Sequence, residues 1–166
     1  MLLKRIAFSL LLLVFGINLE TAYAAHACTD DWFCACSSPI IIDIGGDGIH
    51  LTDTSNGVVF DIRGTGNPIP LAWTQRGARN AFLVLDRDGN GTIDNGKELF
   101  GNYTAQPSCE DPNGLLALAE FDKQTGGNND GVIDNRDSIY ASLQLWIDSN
   151  HNGVSEPDEL FTLPSL

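Results

Sequence analysis

The residues from Asp148 to Glu159 have the spacing of a twelve-residue calcium-binding loop. Ca²⁺ takes about six to eight oxygen ligands at roughly 2.3–2.6 Å, so alternate residues of one turning loop must point inward. Gly153 stands at the sixth position, where glycine permits the sharp turn, whereas the eighth position holds Ser155 instead of an apolar residue. The predicted ligands of this segment, hereafter loop C, are Asp148, Asn150, Asn152, the Val154 carbonyl, Glu156 and Glu159.

A second segment, residues 86–98 or loop A, has the same order of ligands but closes one residue late. Lys97 stands at the twelfth position and cannot ligate calcium, but a one-residue extension at Asn95 would bring Glu98 inward. Ile93, at the eighth position, is the apolar residue that normally joins two such loops through a short β-bridge. A plain turn between two strands is the alternative, although a turn alone does not require three aspartates. The predicted ligands are Asp86, Asp88, Asn90, the Thr92 carbonyl, Asp94 and Glu98.

A third segment, residues 122–137 or loop B, departs further from the pattern. Counting back from the turn at Gly131, the first position falls on Gly126, so Asp122 can serve only if residues 123–126 loop out. A plain loop is the alternative here too. The predicted ligands are Asp122, Asn128, Asp130, the Val132 carbonyl, Asp134 and Asp137.

Two earlier segments resemble degenerate copies of these loops. The one that begins at Asp43 has Gly45 at its third position, and the one that begins at Asp61 has Arg63 and Thr65 at its third and fifth. These residues offer no side-chain carboxylate there, so we interpret both segments as turns without metal.

The segments around the loops predict strands first and helices later. Short apolar runs bounded by turn residues indicate a small antiparallel sheet within residues 39–86, including a hairpin between 49–53 and 58–62. Helical periodicity is present at 113–121, and 136–146 has the pattern of a helix that runs into a strand. The predicted class is α+β: a small antiparallel sheet followed by loop-helix units.

The charge balance restricts the partners. The formal net charge is −13, and residues 1–24 contribute +1 through Lys4, Arg5 and Glu20, which leaves −14 for the remainder. Such an excess repels nucleic acid and anionic lipid and destabilises a compact chain by self-repulsion. Bound divalent cations would relieve that repulsion, so we expect calcium ions as partners and no nucleic acid.

The N-terminal residues 1–24 have the order of a Sec-type signal peptide: two basic residues, an apolar run at 6–19 and small residues after it. The run is short for a membrane span, so we predict cleavage after Ala24 or Ala27, no membrane span in the mature chain, and a secreted or periplasmic location. An uncleaved anchor and a lipoprotein acylated at Cys28 are the alternatives.

The chain divides further into a Cys-containing linker at 25–38 and a calcium-binding domain at 39–166. Export and an even number of cysteines favour disulfides, in any of three pairings, and a zinc site that also uses His26 is the alternative. The cysteines are Cys28, Cys34, Cys36 and Cys109. No G-x-S-x-G or H-E-x-x-H motif is present, so we expect no enzyme activity.

Two blocks carry a family resemblance: N-G-T-I-D-N-G-K-E-L-F-G at 90–101 and L-Q-L-W-I-D-S-N-H-N-G at 143–153. Together with the strand at 39–44, they resemble the EF-hand-like calcium-binding domain of bacterial exported proteins. That family includes modules of repeats-in-toxin (hemolysin-type) proteins and adhesins, and the resemblance covers about residues 38–166. It implies calcium as the ligand and, because the family also carries its glutamate one residue late, Glu98 as a ligand.

Part of that family cleaves itself at an Asp-Pro bond just before the first strand. The matching pair here is Ser38-Pro39, which lacks the aspartate carboxylate that the cleavage needs. We therefore expect a secreted, non-enzymatic module whose folding or rigidity depends on Ca²⁺, with affinities on the order of 10⁻⁴–10⁻³ M. The alternatives are a calcium-triggered self-processing module and an adhesin-like fragment with structural calcium. No residue pattern specifies a protein or cell-surface partner.

Overall fold

The computed structural model describes residues 39–108, 112–123 and 125–163. The predicted signal peptide, its cleavage sites, the Cys-containing linker, the four cysteines and Ser38 lie outside the described residues. Within the described part of the chain, no helix is long and apolar enough to cross a membrane.

Short strands dominate the described residues. Among the elements that lie wholly within the described residues are the α-helix α1 (Gly114–Ala119) and 3₁₀ turns at Thr54–Asn56, Glu120–Asp122 and Tyr140–Ser142. The strands are β1 (Ile41–Asp43), β2 (Val58–Phe60), β3 (Ile69–Leu71), β4 (Asn80–Val84), β5 (Gln144–Trp146) and β6 (Leu160–Thr162). A four-stranded antiparallel sheet has the order β1-β4-β5-β6, and β2 pairs with β3 in a second antiparallel sheet.

Strand β4 is buried along its whole length because both faces of the larger sheet are covered. Successive side chains of a strand point to opposite faces. Ala81 and Leu83 accordingly contact one hydrophobic cluster, with α1 and Phe100, whereas Phe82 and Val84 contact a second.

Four aromatic side chains dominate the second hydrophobic cluster. Their ring centroids lie 4.5–5.8 Å apart in the contacting pairs, at tilted or edge-on angles that aromatic rings prefer. We call this set the aromatic cluster: Phe60, Trp73, Phe82 and Trp146. It joins β2, β4 and β5, so it attaches the two-stranded sheet to the larger one.

The predicted α+β class, with loop-helix units after the sheet, is wrong. The helix predicted at 113–121 exists as α1, but the helix predicted to begin at 136 is replaced by turns and one 3₁₀ turn before β5. The carbonyl groups at the ends of loops A and C, which a following helix would need, accept hydrogen bonds from the residues that precede each loop. The Leu85 N–H donates to the Glu98 carbonyl at 2.9 Å, and the Ile147 N–H donates to the Glu159 carbonyl at 3.0 Å.

The predicted hairpin between 49–53 and 58–62 is also not formed. The Thr52 N–H donates to the Trp73 carbonyl at 2.8 Å, and β2 pairs with β3 instead. The Asp53 side chain caps the 3₁₀ turn at Thr54–Asn56, so the residues expected to form a tight hairpin turn are held in a different conformation.

Candidate metal centre

Five turns of the chain repeat one backbone conformation. In each, the fourth and sixth positions of the loop pattern have positive φ, between 56° and 106°; in loop B these positions are counted back from the turn at Gly131. The pairs are Gly46 and Gly48, Gly64 and Gly66, Gly89 and Gly91, Asn129 and Gly131, and His151 and Gly153. The sixth-position N–H donates to the carboxylate of the first aspartate at 2.6–2.9 Å in every turn. The first aspartates are Asp43, Asp61, Asp86, Asp122 and Asp148.

Loop A folds around Asp86, which accepts the N–H groups of Gly89 at 2.7 Å and Gly91 at 2.8 Å. The Gly91 hydrogen bond lowers the pKa of the Asp86 carboxyl below its ordinary value and keeps it ionised. Asp86, Asp88 and Glu98 each place one carboxylate oxygen within 4.8 Å of the others. Three acidic oxygens at that separation fit the coordination sphere of one calcium ion.

Glu98 closes loop A although it lies one residue later than the usual position. Its two oxygens accept the N–H groups of Arg87 at 3.1 Å and Asp94 at 2.9 Å. The extension is packed tightly, since a Cβ on Gly96 would lie 1.8 Å from the Ile62 carbonyl oxygen. Burial raises the pKa of the Glu98 carboxyl above its ordinary value, so a bound cation would stabilise its ionised form.

Loop B brings Asp122 to the first position by looping out the residues that follow it. The Asn129 N–H donates to the Asp122 carbonyl at 2.6 Å, and the carboxylate accepts the Asp130 N–H at 3.2 Å and the Gly131 N–H at 2.7 Å. Asp137 takes the closing role, because it accepts the N–H groups of Asn128 at 3.2 Å and Asp134 at 2.8 Å.

Loop C connects β5 to β6, and two tryptophans of the aromatic cluster contact its carboxylates. The Trp73 indole N–H donates to Asp148 at 2.7 Å, and the Trp146 indole N–H lies 3.4 Å from Glu159. Glu159 also accepts the Ser149 N–H at 2.8 Å. The first and last carboxylates of loop C are therefore held by two tryptophans of the core.

The remaining predicted ligands surround the same loops. In loop A, Asn90 donates to Asp88 at 3.1 Å and to Asp94 at 3.0 Å. In loop C, Asn150 and Asn152 donate to Glu156 at 3.3 and 2.7 Å. The carbonyl-bearing residues at the seventh positions are Thr92, Val132 and Val154, and their N–H groups bond to the fifth-position side chains. Among the described residues, only loop A brings three acidic side chains within 4.8 Å of one another, and the acids of loops B and C do not approach that closely as a set of three.

Loops A and C contact each other through their eighth positions. The Ser155 hydroxyl accepts the Ile93 N–H at 2.6 Å and donates to the Ile93 carbonyl at 3.3 Å. Ser155, which breaks the apolar pattern in the sequence, supplies the bridge through its side chain. Both residues are buried, at 2% and 1% exposure, so this link lies between the two loops and away from solvent.

Replacing Ser155 by alanine should lower the free energy of unfolding by about 1–3 kcal/mol, because it leaves the Ile93 N–H buried without an acceptor. Urea unfolding monitored by tryptophan fluorescence measures the change. Ser149→Ala is the matched control: its hydroxyl is exposed, and its loss should change stability by less than about 0.5 kcal/mol. Equal stabilities of the Ser155→Ala and Ser149→Ala variants would show that the bridge contributes nothing.

His151, at the fourth position of loop C, contacts two backbone carbonyl oxygens of other segments. Its ring nitrogens lie 2.7 Å from the Thr74 carbonyl oxygen and 2.8 Å from the Asn56 carbonyl oxygen, and the residue is half-buried. Arg76 also donates to the Asn150 carbonyl at 2.9 Å. Sequence reasoning missed Trp73, His151 and Arg76 as supports of loop C because their partners are distant in the chain.

The turns at Asp43 and Asp61 lack the acids that would complete a site. Asp43 accepts the Gly46 and Gly48 N–H groups at 2.8 and 2.7 Å. Asp47, at the fifth position of this turn, is the other acid that it offers at a ligand position. The Asp61 carbonyl accepts the Gly96 N–H at 2.9 Å, so this turn supports the end of loop A. Both aspartates thus have a structural role through these backbone hydrogen bonds.

The donor chemistry of loops A, B and C fits calcium. Each offers carboxylate, amide and carbonyl oxygens, and no sulfur or imidazole nitrogen belongs to a predicted ligand set. Five of the predicted carboxylate ligands are buried, with 2–6% of the residue exposed, and none of the five forms an ion pair with a described side chain: Glu98, Asp122, Asp137, Asp148 and Glu159. Buried charges are normally paired or bound to metal, so these residues favour a cation.

Comparison with known proteins identifies a matching family and a similar protein. The SPM domain family matches residues 40–166. The chain is also similar to the iron-regulated protein FrpA of Neisseria meningitidis serogroup C, with 39% identity over 132 residues. That alignment covers 77% of this chain and 11% of FrpA, so the chain spans about a tenth of the length of this relative. The matched region contains all three loops and both sheets, and the protein belongs to the SPM domain family.

Proposed function

We propose that the protein is a secreted, non-enzymatic calcium-binding module in which loops A, B and C hold Ca²⁺ and the bound ions stabilise the fold. The observation that carries the proposal is the placement of the five buried carboxylates. Each lies at the first or last position of a loop, with its oxygens held by N–H groups and without a direct ion pair to a described side chain.

The electrostatics support a cation in two of these loops. Burial raises the pKa of Glu98 in loop A and of Glu159 in loop C, which means that the ionised carboxylates are disfavoured where they lie. A divalent ion would stabilise the ionised forms, and the folded state would gain the binding free energy.

Removal of calcium tests the proposal. With three sites and affinities on the order of 10⁻⁴–10⁻³ M, about 10 mM Ca²⁺ should stabilise the EDTA-treated protein by about 4–8 kcal/mol and raise its Tm by more than about 10 °C. Tryptophan fluorescence is a suitable probe because Trp73 and Trp146 donate to the loop C carboxylates.

Magnesium at the same concentration is the control, since it has the same charge but demands a smaller, stricter octahedral site. Equal stabilisation by both ions would indicate charge screening instead of specific binding. An unchanged Tm and an unchanged fluorescence through about 10 mM Ca²⁺ would reject the proposal.

A further inference from the structure

We propose that Arg136 competes with Ca²⁺ for loop B, so that loop B is the last of the three loops to fill. This inference rests on the proposed function and concerns the order in which the loops load. It follows from a contact that sets loop B apart from the other two.

The guanidinium of Arg136 contacts both side-chain acids that loop B offers at its fifth and ninth positions. Its Nη2 lies 2.6 Å from Asp130 Oδ2 and 2.6 Å from Asp134 Oδ2. Its Nε lies 3.0 Å from each oxygen of Asp134. One cationic group thus engages two carboxylates that a bound calcium ion would also need.

Loops A and C have no such contact among the described residues. The basic side chains nearest to them donate to backbone carbonyls instead: Arg87 to Lys97, Lys97 to Gly64, and Arg76 to Asn150. The ion pairs of the described chain include no carboxylate of loop A or loop C. Among the described residues, direct ion pairing of predicted ligands with a basic side chain is therefore specific to loop B.

The geometry explains why the two cations exclude each other. A planar guanidinium presents donors in a fixed fork that matches carboxylate oxygens, and it stays charged at any accessible pH. A calcium ion within about 2.3–2.6 Å of the same oxygens would replace the guanidinium and repel it. Arg136 is 57% exposed, so it can swing into solvent, and the competition lowers the affinity without closing the site.

Three glycine amides make the loops separately observable. The N–H groups of Gly91, Gly131 and Gly153 each donate to the first aspartate of a different loop, so their ¹H–¹⁵N chemical shifts should respond when that loop binds an ion. In a Ca²⁺ titration of the full chain, Gly131 should reach its midpoint at a higher concentration than Gly91 and Gly153.

Replacing Arg136 by glutamine removes the competing charge. The Gly131 midpoint should fall about tenfold, the size expected when two partly exposed ion pairs no longer have to be broken, and the Gly91 and Gly153 midpoints should not move. Lys123→Gln is the matched control because it makes the same charge change beside loop B, whereas Lys123 pairs with Glu120, which is not a predicted ligand. The control should shift the Gly131 midpoint less than about twofold.

Each outcome decides the proposal. Equal Ca²⁺ midpoints for the Gly131, Gly91 and Gly153 amides in the unaltered protein overturn it. A Gly131 midpoint that moves no further in Arg136→Gln than in Lys123→Gln also overturns it. Either result leaves calcium binding itself intact. A titration in which none of the three glycines responds would overturn the proposed function and this inference together.

Discussion

Substitution of Trp146 by alanine is expected to lower the free energy of unfolding by about 3–5 kcal/mol, the range found when a large aromatic side chain is removed from a core. Trp146 is fully buried, and its ring lies 5.5 Å from Trp73 and 5.8 Å from Phe60 and Phe82. Its loss would leave a cavity between the two sheets.

Urea unfolding at a fixed, saturating Ca²⁺ concentration measures this change. Trp146→Phe keeps an aromatic ring, so it should lower the free energy of unfolding less than Trp146→Ala does. It still removes the indole donor to Glu159. Leu115→Ala is the exposed control on α1, at 41% exposure, and should change stability by less than about 0.5 kcal/mol. A Trp146→Ala variant that unfolds within about 1 kcal/mol of the unaltered protein would contradict the central place given to the aromatic cluster.

Substitution of Asp148 by asparagine is expected to weaken Ca²⁺ binding at loop C by more than about 100-fold. Mutation of groups that only hydrogen-bond to a metal ligand often lowers metal affinity by about 10–100-fold, and Asp148 is itself a predicted ligand. Asp148 is 2% exposed and accepts the N–H groups of Asn152 and Gly153 together with the Trp73 indole N–H. Asparagine keeps the shape but loses the charge, and its amide places a donor where these N–H groups require an acceptor.

The Gly153 amide reports this loss directly in a Ca²⁺ titration. Asp158→Asn is the matched control: it makes the same charge change within loop C, but Asp158 is exposed and is not a predicted ligand. The Gly153 midpoint should move strongly in Asp148→Asn and less than about twofold in Asp158→Asn. Similar shifts in the two variants would show that loop C responds to net charge and not to a particular ligand.

The parts of the site that depend on local spacing could be predicted from the sequence. Each loop is a short stretch in which one aspartate, one glycine and one late acid determine the path, so the positions of Asp86, Gly91 and Glu98 follow from counting. The looped-out residues of loop B were also predicted as a condition for Asp122 to serve, and the structure places Asp122 at the first position.

The parts that depend on distant contacts could not be predicted. The Trp73 indole reaches Asp148 across a separation of 75 residues, and Ser155 reaches Ile93 across 62. The helices expected after the loops failed for the same reason. Local periodicity favoured a helix from residue 136, but the backbone there forms turns. The Ser138 N–H donates to the Gly126 carbonyl at 2.7 Å, and such tertiary contacts override weak helix propensity.

The repeated turn conformation also bears on how fast the ions exchange. The turns at Asp43 and Asp61 follow the same backbone path as loops A, B and C without a full set of ligands, so hydrogen bonds to the first aspartate are sufficient to form that path. Loops A, B and C are therefore already shaped for an ion, and little chain entropy would be lost on binding one. Ion entry should then be limited by the shedding of water from the cation, and the module would follow a rising calcium concentration without a slow refolding step.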